Sequence, residues 1–222
     1  MGRGGRALIA GYAAAVAALL LFGWLARDVL LHQTIRFDAL VRGVVHSWAS
    51  PAWTDFFQAM SWIGSAWVLL PFAMLFAWRL WAAGRRQAAW LYLMSAIGAE
   101  VLDAILKLAF HRPRPEPFFG YPLPPTYSFP SGHSLVSASV FGVAAALATA
   151  GMQSRARIAA VWTGAVALTL AIGISRIYLG VHYPSDVAAG FAAAVIWVAA
   201  VRAGYRIWAK RKNGRPAETP DS

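Results

Sequence analysis

The sequence predicts an all-α fold, a bundle of six transmembrane helices, and three observations predict it. Hydrophobic residues make up 59% of the 222 and charged residues only 13%, a balance too apolar for an ordinary soluble domain. The apolar residues gather into six runs near the roughly 20 residues that a hydrocarbon core about 30 Å thick requires. The net charge of +11 lies between those runs rather than along one polar face, which fits membrane orientation and argues against nucleic acid as a partner. A phospholipid bilayer is therefore the expected surroundings, and no strands are expected.

The first run, residues 7–26, follows Arg3 and Arg6. It exceeds the roughly 7 to 15 apolar residues of a secretory signal and no small-x-small cleavage site follows, so it reads as a retained anchor. Residues 27–61 mix Asp28, Arg36, Asp38, Arg42 and Asp55 with aromatic and aliphatic side chains, the composition of an amphipathic segment lying on the membrane. The remaining runs cover 62–82, 88–109, 134–151, 158–174 and 184–204. Residues 1–209 thus form one membrane domain. Residues 210–222 are polar, carry Pro and Gly, lack periodicity and read as a disordered cytoplasmic tail. With no cysteine, disulfides, zinc-thiolate sites and thiol nucleophiles are excluded.

Six spans place thirteen Lys and Arg on the side of the termini and seven on the other, so the termini are expected in the cytoplasm. Four of those seven fall beside two connections, the third-to-fourth and the fifth-to-sixth: Lys107, Arg112, Arg114 and Arg176. Cations that resist the orienting bias point to an anionic ligand at the non-cytoplasmic surface.

Three short stretches carry the chemistry. In KLAFHRPRP, Lys107, Arg112 and Arg114 stand with His111 within eight residues, and each arginine precedes a stiffening proline. In FPSGHS, Pro130, Ser131, Gly132 and His133 open the fourth run. A helix N-terminus there offers unpaired N–H groups and partial positive charge, glycine allows close backbone approach, and serine adds a hydroxyl. In SRIYLGVHYPSD, Arg176 presents a planar fork suited to phosphate oxygens, and Pro184 suits a first helical turn. Asp186 in that turn can reach one nitrogen of His182 and leave the other as a neutral nucleophile or base.

Both connections join an odd span to an even one, so they share a membrane face and can form one site. Its inventory holds cations, a helix N-terminus, two histidines and one orienting aspartate, without the carboxylate cluster that holds magnesium. Such a set suits phosphoryl transfer without a metal or other cofactor, driven by positioning and charge neutralisation. The residues alone do not say which histidine is nucleophile and which is acid. Inside the third run, Asp103 precedes Lys107 by four residues and is expected to pair with it on one helix face, and Glu100 is a second ionisable group there.

These stretches resemble the type 2 phosphatidic acid phosphatase superfamily, which also includes vanadium-dependent haloperoxidases. The pattern K-x6-R-P, P-S-G-H and S-R-x5-H-x3-D is matched at every position, from Lys107 through Arg114 and Pro115, Pro130 to His133, and Ser175 and Arg176 to His182 and Asp186. The resemblance implies a phosphohistidine mechanism with His182 as nucleophile, Asp186 orienting it and His133 protonating the leaving oxygen. It also implies Lys107, Arg114, Ser131, Gly132 and Arg176 as the phosphate-holding residues, with Arg112, Ser175 and Asp103 as support. One neutral and one protonated imidazole then lead to a bell-shaped pH profile.

The implied substrate is a membrane lipid phosphate or diphosphate, with polyprenyl diphosphate favoured over phosphatidylglycerol phosphate and phosphatidic acid, and a bacterial inner membrane is the implied location. No protein partner is required. A haloperoxidase of this superfamily is expected to be soluble, which six spans oppose. A lipid-binding or translocating protein needs the cations but not an oriented nucleophile. The connection at 115–129, rich in proline and aromatics, reads as an apolar lip for the first part of a lipid chain.

Overall fold

A computed structural model describes residues 3–213, with side chains from 9 to 205. Among these residues it contains helices and no strands, in the order α1 Arg3–Leu30, α2 Ile35–His46, α3 Pro51–Ile63, α4 Ala66–Ala82, α5 Arg86–Phe110, α6 Gly132–Thr149, α7 Arg155–Tyr178 and α8 Pro184–Asn213.

Local chemistry sets several of these boundaries. Ser50 caps α3 by accepting the Trp53 N–H, with Pro51 in the first turn, and Ser154 caps α7 by accepting from Arg157. The expected run at 62–82 is interrupted at Gly64 and Ser65, where α3 and α4 meet at a bend of 50°. Trp62 consequently belongs to α3, and the expected surface segment resolves into the end of α1, then α2 and α3. At the other terminus α8 continues four residues into the expected tail, and 214–222 lie outside the described residues.

Among the described residues four helices are long and apolar enough to cross a membrane, within Ile9–Leu30, Gly132–Thr149, Arg155–Tyr178 and Pro184–Tyr205, or five if the bent pair α3 and α4 is one span. The expected third span lies in α5, which is long enough but carries Arg86, Glu100, Asp103 and Lys107 and is not among them. The structure therefore differs from a count of six equally apolar spans, because the helix that brings cations to the site must hold ionisable residues near one end.

α6 packs against α5, α7 and α8, while α1 lies on α8 and α3 on α7. Between α4, α5 and α6 the core is built from Leu69, Ala73, Tyr92, Ala96, Ala99, Leu135 and Val140. Small side chains let the helix backbones approach, the means by which membrane helices gain van der Waals contact. Large apolar residues such as Trp67, Trp78, Trp90 and Leu20 instead face outward, more than half exposed, as lipid-facing residues do. Trp197 departs from that pattern: it lies over Gly98 and donates its indole N–H to the Ser95 carbonyl at 2.9 Å.

Candidate active site

The connections α5–α6 and α7–α8 lie at one end of the bundle and are bonded to each other. The Ser131 N–H donates to the Asp186 carbonyl at 2.9 Å, joining the first residues of α6 and α8. A cavity of about 530 Å³ at the opposite end of α5, lined by Arg85, Arg86, Leu91 and Leu147 among others, contains none of the signature residues.

His182 follows a turn that only a particular backbone can make. α7 ends at Tyr178, Gly180 takes φ 77°, and α8 begins at Pro184, so His182 stands just before the helix and Asp186 in its first turn. The two are 1% and 0% exposed. His182 Nδ1 lies 3.3 Å from Asp186 Oδ2, which also accepts the Tyr183 N–H at 2.9 Å. On its other side, Nε2 lies 3.0 Å from a terminal nitrogen of Arg114. Guanidinium donates and never accepts, so Nε2 carries the lone pair and Nδ1 the proton directed at Asp186. Burial first, then the charges of Arg114, Arg176 and Lys107, hold the His182 imidazole well below its usual 6.5 and keep it neutral.

Arg114 is itself fixed by the Thr126 carbonyl at 2.6 Å, the Thr126 hydroxyl at 3.0 Å and the Val181 carbonyl at 2.9 Å. Arg176, in the last turn of α7, is 2% exposed and donates to the Ser61 hydroxyl, with the Tyr121 ring 5.9 Å from its guanidinium carbon. Ser61 Oγ also lies 3.3 Å from the Tyr121 hydroxyl. Lys107 pairs with Asp103 at 2.6 Å, the i,i+4 bond expected for this helix face.

The N-terminus of α6 meets the Asp103–Lys107 pair of α5. Ser131 is fully buried, its hydroxyl accepting from Ser134 at 3.2 Å, and the first N–H groups of the helix have no intrahelical acceptor. At Gly132 a Cβ would come 2.6 Å from Asp103 Oδ2, so the α5 carboxylate and the α6 backbone meet only because the side chain is absent. His133 lies beside the α3–α4 bend, where a Cβ on Gly64 would stand 3.1 Å from its Cδ2.

Ser175, expected as support, and His111, which stands among the cations at the end of α5, have local roles in their helices. Ser175 donates its hydroxyl to the Ile172 carbonyl at 2.6 Å within its own helix. His111 closes α5 in the left-handed conformation, φ 48°, with its exposed ring edge-on to Tyr127 at 4.6 Å. Helix back-bonding and helix ending account for both.

A family model for the PAP2 superfamily matches residues 88–210, which is more than half of the chain and contains all three signature stretches. The chain belongs to the PAP2 superfamily. It is 35% identical over 94 residues to phosphatidylglycerophosphatase B of Bacillus subtilis, covering 41% of this chain and 45% of that protein. It is 32% identical over 151 residues to a lipid A 1-phosphatase of Rhizobium johnstonii, covering 58% of this chain and 57% of that one. The aligned stretches thus span about half the length of these curated relatives.

Its fold is similar to the crystal structure of a transmembrane PAP2-type phosphatidylglycerolphosphate phosphatase from Bacillus subtilis. The TM-score is 0.79 at 25% identity, covering 90% of this chain and 98% of that one. With several helices apolar enough to span a bilayer, this PAP2 chain is an integral membrane protein.

Asp38, Ser61, Tyr121 and Thr126 surround the PAP2 signature residues and were not legible as site residues in the sequence. Asp38 had one signal: it falls on the inward stripe of α2 with Val41, Arg42 and Val45, where an amphipathic helix ordinarily places apolar side chains. The connection between the first two signature stretches is anchored rather than free. Phe118 stacks on His46 with ring centroids 4.0 Å apart and lies 4.8 Å beneath Arg42, while Phe119 remains 44% and Leu123 46% exposed.

Gly180 holds this anchor to the site, because a Cβ there would come 2.5 Å from the Phe118 backbone nitrogen. Gly180→Ala is expected to destabilise the protein by about 2 kcal/mol, from the left-handed backbone alone, with a further cost from the clash. A thermal unfolding scan in detergent should show a lower midpoint; an unchanged midpoint would mean that the turn relaxes freely.

Proposed function

We propose that this protein is a metal-independent lipid phosphate phosphatase acting through a phosphohistidine on His182. The observation that carries the reading is the fixed tautomer: a buried neutral imidazole whose Nε2 lone pair meets a guanidinium rather than a proton acceptor. A phosphoryl group entering between Nε2 and the cations would take up the Arg114 donor and expose the lone pair to phosphorus.

In the first step the Nε2–P bond forms and the bond from phosphorus to the lipid oxygen breaks. His133 delivers the proton that the leaving oxygen needs. In the second step water attacks phosphorus, His133 takes its proton, and inorganic phosphate leaves with His182 restored. Lys107, Arg114, Arg176, Ser131 and the Gly132 backbone neutralise the phosphoryl oxygens, which is where most catalysis in such transfers arises. Among the described residues no group of three or more His, Cys, Asp or Glu is placed to hold a metal ion.

The named relatives favour a phosphomonoester on a glycerophospholipid or lipid A, with phosphatidylglycerol phosphate as the first substrate to test. Half-exposed Phe119 and Leu123 on the anchored connection suit the first part of an acyl chain. α5 serves as a sixth span, both termini are cytoplasmic and the site faces outward from a bacterial inner membrane, an arrangement supported by the excess of Lys and Arg on the side of the termini.

Phosphate release by purified protein in detergent tests the reading on a panel of phosphatidylglycerol phosphate, phosphatidic acid, lipid A 1-phosphate and polyprenyl diphosphate. Release that persists in EDTA is expected, with phosphatidylglycerol phosphate among the best substrates. Loss of activity in EDTA overturns the metal-independent step, and no release from any member overturns the function.

A further inference from the structure

Asp38 lies outside the signature and outside the family match, yet it is 1% exposed and bonded to the centre of the site. Its Oδ1 accepts the Ser185 N–H at 2.9 Å, and its Oδ2 accepts the Ser185 hydroxyl at 2.8 Å and a terminal nitrogen of Arg112 at 2.8 Å. The other terminal nitrogen of Arg112 donates to Asp186 Oδ1 at 2.6 Å and to the Ser185 hydroxyl at 2.8 Å. The Tyr183 ring covers the guanidinium at 4.0 Å. Both nitrogens of the fork are thus committed to protein, one to each carboxylate.

That division bears on His182. A guanidinium facing a single carboxylate favours two parallel bonds, one to each oxygen. Arg112 left alone with Asp186 would engage both of its oxygens, yet Oδ2 is the oxygen that meets His182 Nδ1. We propose that Asp38 is a positioning residue: by holding one nitrogen of Arg112 it confines the fork to Asp186 Oδ1 and reserves Oδ2 for His182. Burial of a charged triad is weak evidence of stabilisation, since apolar side chains often pack as well, so orientation is the stronger reason for it. The inference rests on His182 being the group that Asp186 orients in the phosphatase reading above.

Asp38→Asn keeps the shape and removes the charge. In phosphate release it is expected to lower kcat about 10-fold with KM within about twofold, the size of a lost orienting contact rather than of a lost nucleophile. In an Arg112→Gln background the same substitution should cost nothing further, because no fork remains to divide. Ser185→Ala, which removes one hydroxyl bridge and no charge, should lower kcat about threefold and serves if Asp38→Asn does not fold. A second readout needs no turnover: the side-chain ¹⁵N resonances of His182, assigned by their loss in His182→Ala, should shift in Asp38→Asn.

Full kcat in a folded Asp38→Asn protein, or an equal loss with and without Arg112, overturns the proposal. So do unmoved His182 resonances. Full kcat in Ser185→Ala, where Asp38→Asn cannot be recovered, overturns it as well. An inactive wild type whose His182 resonances still respond to Asp38→Asn would defeat the phosphatase reading and leave the positioning role standing.

Discussion

His182→Ala is expected to lower phosphate release from a lipid phosphate by about 100-fold or more, the range seen when one contact to the reacting centre is removed. The loss follows from the tautomer. Nδ1 is directed at Asp186 and Nε2 at Arg114, so this imidazole is oriented at both ends, and alanine leaves Asp186 without a group to orient. A kcat/KM within a few fold of wild type would remove His182 from the nucleophile's role. The pH profile tests the same residue from another side. Burial and three neighbouring cations depress its pKa, so His182 stays neutral as pH falls through 6.5 and gains its proton only well below. After correction for the substrate's own ionisation, the acid limb of kcat/KM should fall below the usual imidazole range. A half-loss of activity at the ordinary value of 6.5 would show that His182 titrates as a solvated histidine.

The second large effect is expected at His133, and it depends on the leaving group. An alkoxide leaves phosphorus only if protonated as the bond breaks, so His133→Ala should lower turnover of a lipid alkyl phosphate by about 100-fold, within the range for general acid catalysis. A nitrophenolate needs no such proton, and p-nitrophenyl phosphate should lose far less in the first step. Accumulation of acid-labile phosphate on His182 in the variant would mark slow hydrolysis, the step for which His133 is proposed as base. Equal losses on both substrates without that accumulation would assign His133 to binding instead.

How far these residues can be read without coordinates differs from one to the next. The signature histidines, Asp186 and the cation list follow from spacing, because an i,i+4 pair across a helix start and an arginine ahead of a proline have local consequences. The Asp103–Lys107 bond was legible for the same reason, one helix face at one turn's separation. By residue type and context Arg112 and Arg114 looked equivalent, two arginines each before proline, and only the resemblance set Arg114 apart. The fold separates them: Arg112 is held between Asp38 and Asp186, and Arg114 meets His182. Ser175 looked like a member of the site by position in the motif, but its hydroxyl bonds its own helix. The apolar run at 62–82 also suggested an unbroken second span, whereas Gly64 and Ser65 bend the chain beside His133.

By itself the sequence determined the all-helical class, the apolar helices and the residues of the superfamily pattern, since these depend on composition and on separations within a turn or two. Only the tertiary structure decided which donor faces which acceptor. Asp38, Arg112 and Asp186 are separated by 74 residues at each step, and Arg176 reaches Ser61 across 115. Contacts at such distances are set by how α2, α3, α7 and α8 pack, and periodicity along the chain can mark an inward face but not the partner that it meets.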